Sequence, residues 1–237
     1  MKERLKEFAG LVRSYVFDGY YPSEGGVEGI RASAASLAGE GVAEGFMEDL
    51  PGIRRSLLRD VEAICHADPA VSDVSEVILC YPGITAILYY RTAHALLLRG
   101  VKVIPRMLTE IAHSETGIDI HPAAVIGDYF AIDHGTGIVI GETAVVGNHV
   151  TLYQGVTLGA KNFSYGADGR PLNIPRHPVL EDGVTVYSNS SLLGRITVGH
   201  DSVIGGNVWL TTDVPPRSRI LQSKAVYLND YTDGAGI

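Results

Sequence analysis

From Ile118 onward the chain repeats every six residues, and this period restricts its fold more than any other feature. Ile120, Ile126 and Ile132 lie six apart, as do Ile140, Val146, Leu152 and Leu158. A third series runs Leu180, Val186, Leu192, Val198, Ile204 and Leu210. Four positions after most of these stands a second small or branched residue: Ala144, Val150, Val156, Val184, Ser190, Ile196, Ser202, Val208 and Val214. Neither the 3.6 period of a helix nor the 2.0 period of a flat strand explains the pattern. A six-residue repeat is the mark of a parallel β-helix, in which each hexad supplies one short strand and one corner and the aliphatic residues stack inward. Glycine is 28 of 237 residues, about 12% against a usual ~7%. Corners with unusual backbone angles account for that excess in this reading.

The repeat is broken twice. Ile132 to Ile140 is a step of eight, so two extra residues bulge out around His134 to Gly137. Leu158 to Leu180 is a step of 22, one hexad plus an insertion of 16 within Ala160 to Pro178. That segment is rich in Gly, Pro, Asn and Asp and is expected to protrude from the coil. Repeat scaffolds carry function on such excursions, and both interruptions contain histidine.

Residues 1–115 read as helices. Leu5, Phe8, Val12 and Tyr15-Val16 form one apolar stripe at helical spacing, and a Gly/Pro-rich break follows from Asp18 to Gly29. Pro51 is expected near the start of a further helix with Ile53, Leu57-Leu58, Val61 and Ile64 on its buried face. Asp68-Pro69 ends it, because the residue before proline is driven from helical angles. Ile84 to Gly100 and Val101 to His113 supply more helix.

Composition removes other classes. The formal charge is −8, which disfavours a nucleic-acid binder. Apolar residues make up 46% and charged ones 19%, the opposite of a disordered chain. The longest strongly apolar stretch without a charge, Val77 to Tyr90, is 14 residues and too short to span a membrane. The N-terminus runs into mixed-charge helix rather than a signal segment, and Cys65 and Cys80 read as two reduced core cysteines, so a cytoplasmic protein is expected.

The residues able to do chemistry cluster at the interruptions: Asp119, His121, Asp133, His134, Arg176 and His177. Asp119 and His134 are 15 apart, close to one coil of 18, so the bulge can bring them towards alignment. A carboxylate beside an imidazole fixes its tautomer and stabilises the imidazolium. Histidine exchanges protons in the physiological range, which makes His134 a candidate base for a substrate hydroxyl. Arg176 at the end of the insertion is suited to hold a carboxylate in a two-point fork. His113, His121, His134, His149 and His177 show no short paired spacing of the kind that binds zinc, and no metal is expected.

In their order and wording these segments resemble the serine O-acetyltransferases of bacterial cysteine synthesis. The likeness rests on Gly117-Ile-Asp-Ile-His-Pro-Ala-Ala, Ile132-Asp-His-Gly-Thr-Gly-Ile-Val-Ile-Gly-Glu-Thr-Ala, Gln154-Gly-Val-Thr-Leu-Gly and Arg176-His-Pro. Asp68-Pro-Ala and Tyr90-Arg-Thr-Ala-His extend it upstream, so that it covers roughly residues 61–216. The resemblance implies acetyl transfer from acetyl-CoA to the hydroxyl of L-serine, with His134 as base and Asp119 as its carboxylate partner. It implies that Asp68, Asp133, Arg176 and His177 hold the amino acid, the acids taking its ammonium and Arg176 its carboxylate. It places Ala160, Ser188 and Gly206 along a CoA cleft between β-helices of a homotrimer or a dimer of trimers. It implies L-cysteine as a feedback inhibitor, and a tail from Asn229 whose terminal Ile237 enters O-acetylserine sulfhydrylase. The chain departs from the family at Leu158-Gly-Ala-Lys, where many members have paired glycines and threonine, and again after Pro215-Pro216.

The expected architecture is therefore α+β. A helical domain over 1–115 precedes a left-handed parallel β-helix over 116–216 with one protruding loop at about 160–178, and a tail covers 217–237. Two other classes fit the repeat: a hexapeptide-repeat acetyltransferase acting on a sugar or sugar nucleotide, and a β-helix that transfers no acyl group, such as a zinc hydrase or an assembly scaffold. The first has less reason for the Asp133-His134 and Arg176-His177 pairs.

Overall fold

The computed structural model describes residues 1–22 and 25–223, in which six helices precede fourteen short strands. Helix α1 (Lys2–Val16) buries Leu5, Phe8, Ala9, Val12 and Val16, the apolar stripe of the sequence. Helix α2 (Gly26–Ala38) starts inside the segment read as a break, so the Gly/Pro-rich run is helical from Gly26. Helix α3 (Glu40–Ala67) corrects a second expectation, because Pro51 sits in its interior rather than near its start. Ala43, Phe46 and Leu50 carry the buried stripe upstream to join Ile53, Leu57, Val61 and Ile64. The packing of that continuous face outweighs an interior proline, which costs about 3 kcal/mol. The helix stops at Asp68, as the following proline requires.

Helix α4 (Val74–Cys80) is capped by Asp73, whose side chain accepts from Ser75 N–H. Neither cysteine is in a disulfide, and the core reading fails for Cys80, which is exposed just before Tyr81 because α4 turns only Val77 and Ile78 inward. Helix α5 (Pro82–Leu98) is buried on almost every side, as a helix apolar all round must be. Helix α6 (Ile104–Thr116) ends at Gly117 with φ 72, a left-handed cap suited to glycine. No described helix is long and apolar enough to cross a membrane.

The strands form a three-faced left-handed β-helix. The first face stacks β1 (Asp119–Ile120), β4 (Val139–Ile140), β7 (Thr157–Gly159), β10 (Ser191–Leu193) and β13 (Trp209–Leu210). The second stacks β2 (Val125–Ile126), β5 (Val145–Val146), β8 (Val179–Leu180) and β11 (Thr197–Val198). The third stacks β3 (Ala131–Asp133), β6 (Thr151–Tyr153), β9 (Thr185–Val186), β12 (Val203–Ile204) and β14 (Arg219–Ile220). All ladders are parallel, and the hexad leads pair with one another: Ile120 with Ile140, Val146 with Leu180, Leu192 with Leu210. Every lead residue and every second-series residue is buried. Two of the latter, Ser190 and Ser202, are polar because they serve the backbone. Ser190 Oγ donates to Gly205 O and accepts from Val208 N–H, and Ser202 Oγ donates to Pro215 O and accepts from Ser218 N–H.

The glycine excess has two causes: Gly137, Gly155, Gly183 and Gly194 hold left-handed angles at corners, as expected, and a second set is fixed by clearance between coils. Several glycines that follow lead residues, such as Gly127 and Gly205, have ordinary φ but leave no room for a side chain. A Cβ at Gly127 would lie 2.8 Å from the Gly147 carbonyl of the next coil. Many left-handed corners are instead occupied by other residues: Tyr129, His149, Asp201 and Arg217 between the second and third faces, and Asn189 and Asn207 between the third and first. Stacking clearance, more than backbone angle, sets the glycine at those second positions.

Helix α5 joins the helical part to the coil. Tyr90 Oη donates to Ala124 O, His94 Nδ1 lies 2.7 Å from Pro122 O, and Gly83 packs against the Ile132 carbonyl. Beside them is a buried ion pair. The Asp60 carboxylate, fully buried, accepts from Arg91 Nε (2.6 Å), Arg91 Nη2 (2.9 Å) and Phe130 N–H (2.9 Å). Arg91 Nη2 also donates to Gly127 O at 2.7 Å.

Candidate active site

The bulge builds one half of the site. The regular corner of its coil is Gly137, stacked on Gly155, so His134 and Gly135 are the extra residues, both left-handed with φ 57 and 90. Ile118 and Ile132 fill the space beneath Gly135 and force the loop outward. Histidine is among the few non-glycine residues that enter the left-handed region readily. The His134 side chain is 73% exposed, with Nε2 3.9 Å from Asp133 Oδ1.

Helix α3 and the segment after it bring Asp68 to this corner. Its carboxylate accepts from Tyr81 Oη at 2.6 Å and from Ala70 N–H at 2.8 Å. The Tyr81 hydrogen bond, then the Ala70 one, holds the Asp68 carboxyl below its usual range, with a further pull from nearby His134. Tyr81 is pushed up to about 12 by the same bond. Tyr153, opposite Asp133 across the β3–β6 ladder, stacks on Tyr187 at 4.7 Å and continues the corner upward. Asp68, Asp133 and His134 therefore stand together, held in part by Tyr81, which sequence reasoning missed.

The other half lies at the corner between the first and second faces. Arg176 donates to Glu142 Oε2 through Nη2 and to Asn173 Oδ1 through Nη1. Burial raises the Glu142 carboxyl, but its pairing with Arg176 holds it below the usual value. His177 is buried, and burial, then Arg176, pushes its ring down to about 4. His121, half-buried, is lowered by burial and by Arg106. Its Nδ1 accepts from Ala123 N–H at 3.1 Å, so its ring proton is on Nε2. Asp119, on β1, accepts from Arg106 Nη1 at 3.1 Å. Arg106 also pairs with Glu110. Glu110, His113 and Asp119 offer three ligand atoms within 4.8 Å of one another, and Arg106 already supplies positive charge to both carboxylates. Arg106, Glu142 and Thr143 are further residues that the sequence did not single out, although the last two lie inside the Gly-Glu-Thr-Ala stretch.

Ser188 and Gly206 sit one coil apart at the corner of His134, where Asn207 N–H donates to Ser188 O at 2.9 Å. Ala160 follows β7 at the opposite corner, where the insertion leaves the coil. The insertion folds as an arm closed by a Tyr165–Pro171 bridge. Ile237 lies outside the described residues. One chain thus divides the expected residues between two corners: Asp68, Asp133, His134, Ser188 and Gly206 at one, and Arg176, His177, His121 and Ala160 at the other, with Asp119 on the face between them.

No family model matches the chain. It is 51% identical over 195 residues to the plasmid serine acetyltransferase of Synechococcus elongatus, a match covering 82% of this chain and 61% of that protein. Serine acetyltransferase 1 of Entamoeba histolytica, solved in complex with L-cysteine, superposes with a TM-score of 0.80 at 34% identity, covering 94% of this chain and 87% of that one. The Neisseria gonorrhoeae serine acetyltransferase in complex with serine gives a TM-score of 0.70 at 32% identity, covering 93% and 82%.

Proposed function

The chain belongs to the serine acetyltransferase family, and on that premise we propose that it transfers the acetyl group of acetyl-CoA to the hydroxyl of L-serine. The products are O-acetyl-L-serine and CoA, the first step from serine to cysteine. The observation that carries the reading is the separation of charge between the two corners. Serine is a zwitterion and needs anions for its ammonium and a cation for its carboxylate. Asp68 and Asp133 supply the anions, and Arg176, held by Glu142, supplies the cation beside the neutral His177. A sugar substrate would have no use for this pairing.

A single chain leaves the two corners apart, so the complete site requires a neighbour. Three β-helices arranged about a common axis set the His134 corner of one against the Arg176 corner of the next, giving a homotrimer, or a dimer of trimers through the helical parts. The acetyl-CoA arm runs along this seam, past Ser188 and Gly206 on one chain and Ala160 on the other. One orphaned atom supports that path. Gln154 Oε1, at the same corner between the bulge and Ser188, is buried without a donor among the described residues, and an amide N–H of the pantetheine arm suits it.

His134 takes the serine hydroxyl proton while the oxygen attacks the thioester carbonyl. The family resemblance gives Asp119 the task of orienting the imidazole, whereas within this chain Asp119 is bonded to Arg106 and the carboxylate beside His134 Nε2 is Asp133, at 3.9 Å. The tetrahedral intermediate collapses by C–S cleavage, and the imidazolium returns the proton to the CoA sulfur, so no acyl-enzyme forms. L-Cysteine carries the same ammonium and carboxylate and occupies the serine site as a feedback inhibitor. The terminal Ile237 is the segment for O-acetylserine sulfhydrylase, and deleting it abolishes capture in a pull-down if that reading holds.

The deciding experiment is thiol release from acetyl-CoA with L-serine. His134→Asn keeps a residue tolerant of left-handed angles and removes the base. Turnover falls about 10²–10⁴-fold while the unfolding midpoint stays in place. A His134→Asn enzyme with near-normal turnover would refute the mechanism.

A further inference from the structure

The insertion returns to the coil at Arg176-His177, and a single side chain receives it. Thr143 Oγ1 accepts from Arg176 N–H at 2.8 Å and from His177 N–H at 3.1 Å, and lies 2.9 Å from His177 Nδ1. Thr143 N–H points at that same Nδ1 from 3.0 Å. A threonine hydroxyl has two acceptor sites and one donor. Both acceptor sites are taken by the backbone N–H groups, so the hydroxyl proton is directed to His177 Nδ1. A backbone N–H can only donate, so Nδ1 accepts, and the ring carries its proton on Nε2.

The geometry points to Thr143 as a positioning residue that fixes the tautomer of His177 and the main chain of Arg176, so that His177 meets the amino-acid substrate as an Nε2–H donor. Gly141 makes room for the arrangement, since any side chain there would collide with the His177 ring. The preceding Glu142 holds the Arg176 guanidinium, so two consecutive residues after β4 capture two consecutive residues at the end of the insertion. The inference rests on the serine-binding reading of His177 for its kinetic consequence, but its chemical statement concerns the ring alone.

Two variants and two readouts test it. Thr143→Ser keeps the hydroxyl, and Thr143→Val keeps the shape and removes it. With ¹⁵N-histidine labelling and His177→Asn to assign the resonance, the wild type is expected to show Nδ1 as an unprotonated acceptor and Nε2 as protonated. Thr143→Ser retains that signature and the wild-type KM for serine. Thr143→Val shifts the Nδ1 resonance as its hydroxyl donor is lost, and raises the KM for serine about tenfold while the KM for acetyl-CoA is unchanged. A protonated Nδ1 in the wild type overturns the inference, as does a Thr143→Val protein with an unmoved Nδ1 resonance, or a Thr143→Ser protein no better than Thr143→Val. The ring readout needs no turnover. An absence of serine acetylation by the wild type would therefore defeat the functional reading while the Nδ1 resonance still decided this one.

Discussion

Replacing Arg91 by methionine removes the guanidinium that joins the helical part to the β-helix, and we predict a large loss of stability. The Asp60 carboxylate is fully buried and would keep one of its three donors, Phe130 N–H at 2.9 Å. Breaking a buried pair from one side costs about 3–5 kcal/mol, because the remaining charge has neither water nor partner. The Gly127 carbonyl also loses its Arg91 donor, adding about 1 kcal/mol. Total stabilities of about 5–15 kcal/mol leave little margin for such a change. At roughly 2–4 °C per kcal/mol for a chain of this size, the combined loss of about 4–6 kcal/mol lowers the midpoint by about 8–24 °C. Thermal unfolding at one fixed protein concentration measures the shift and urea unfolding the free-energy loss, since any assembly makes stability concentration-dependent. The Asp60→Leu, Arg91→Met double variant recovers much of the loss, because it removes the stranded charge. An Arg91→Met protein within about 1 kcal/mol of wild type would show that the pair is not the link described.

Other tests address the corners. Burial, then Arg176, holds His177 down to about 4, and burial lowers His121 too, whereas an unfolded histidine titrates near ~6.5. The unfolded chain therefore binds protons that the folded chain refuses, so stability is fully present above about 6.5 and declines as pH falls towards about 4. His177→Gln should flatten that decline in unfolding free energies measured at several pH values, and an unchanged slope would count against a neutral buried ring. Gly127→Ala drives a methyl into the next coil and should cost about 1–3 kcal/mol, with a wild-type midpoint in urea contradicting the clearance argument. Glu142→Gln frees the Arg176 fork and should raise the KM for serine about tenfold, roughly one weak charge-assisted hydrogen bond. An unaltered KM would mean that Arg176 does not depend on that carboxylate.

What the sequence disclosed, it disclosed through periodicity. A hexad lead has to be apolar because it points into a narrow prism, so Ile120 to Leu210 announce the coil one residue at a time. The bulge and the insertion were visible for the same reason, as faults in a regular count. Pro51 was misplaced because proline ordinarily marks a helix start, and only tertiary packing of Phe46 and Leu50 carries α3 through it. Tyr81, Arg106 and Thr143 were missed because hydrogen bonds between distant segments leave no period behind: Thr143 meets His177 across 34 positions and Tyr81 meets Asp68 across 13. The division of the site between two corners was hidden as well, since spacing along the chain does not say on which edge of a prism a residue falls.

The coil keeps its register across both interruptions. Ile132 still pairs with Leu152 after two extra residues, and Val146 still pairs with Leu180 after an insertion of 16. Length at a corner is thus a local variable, and a splice there shifts no buried side chain. The scaffold can gain, lose or exchange its reactive appendages as cassettes while the thread beneath them runs on unchanged.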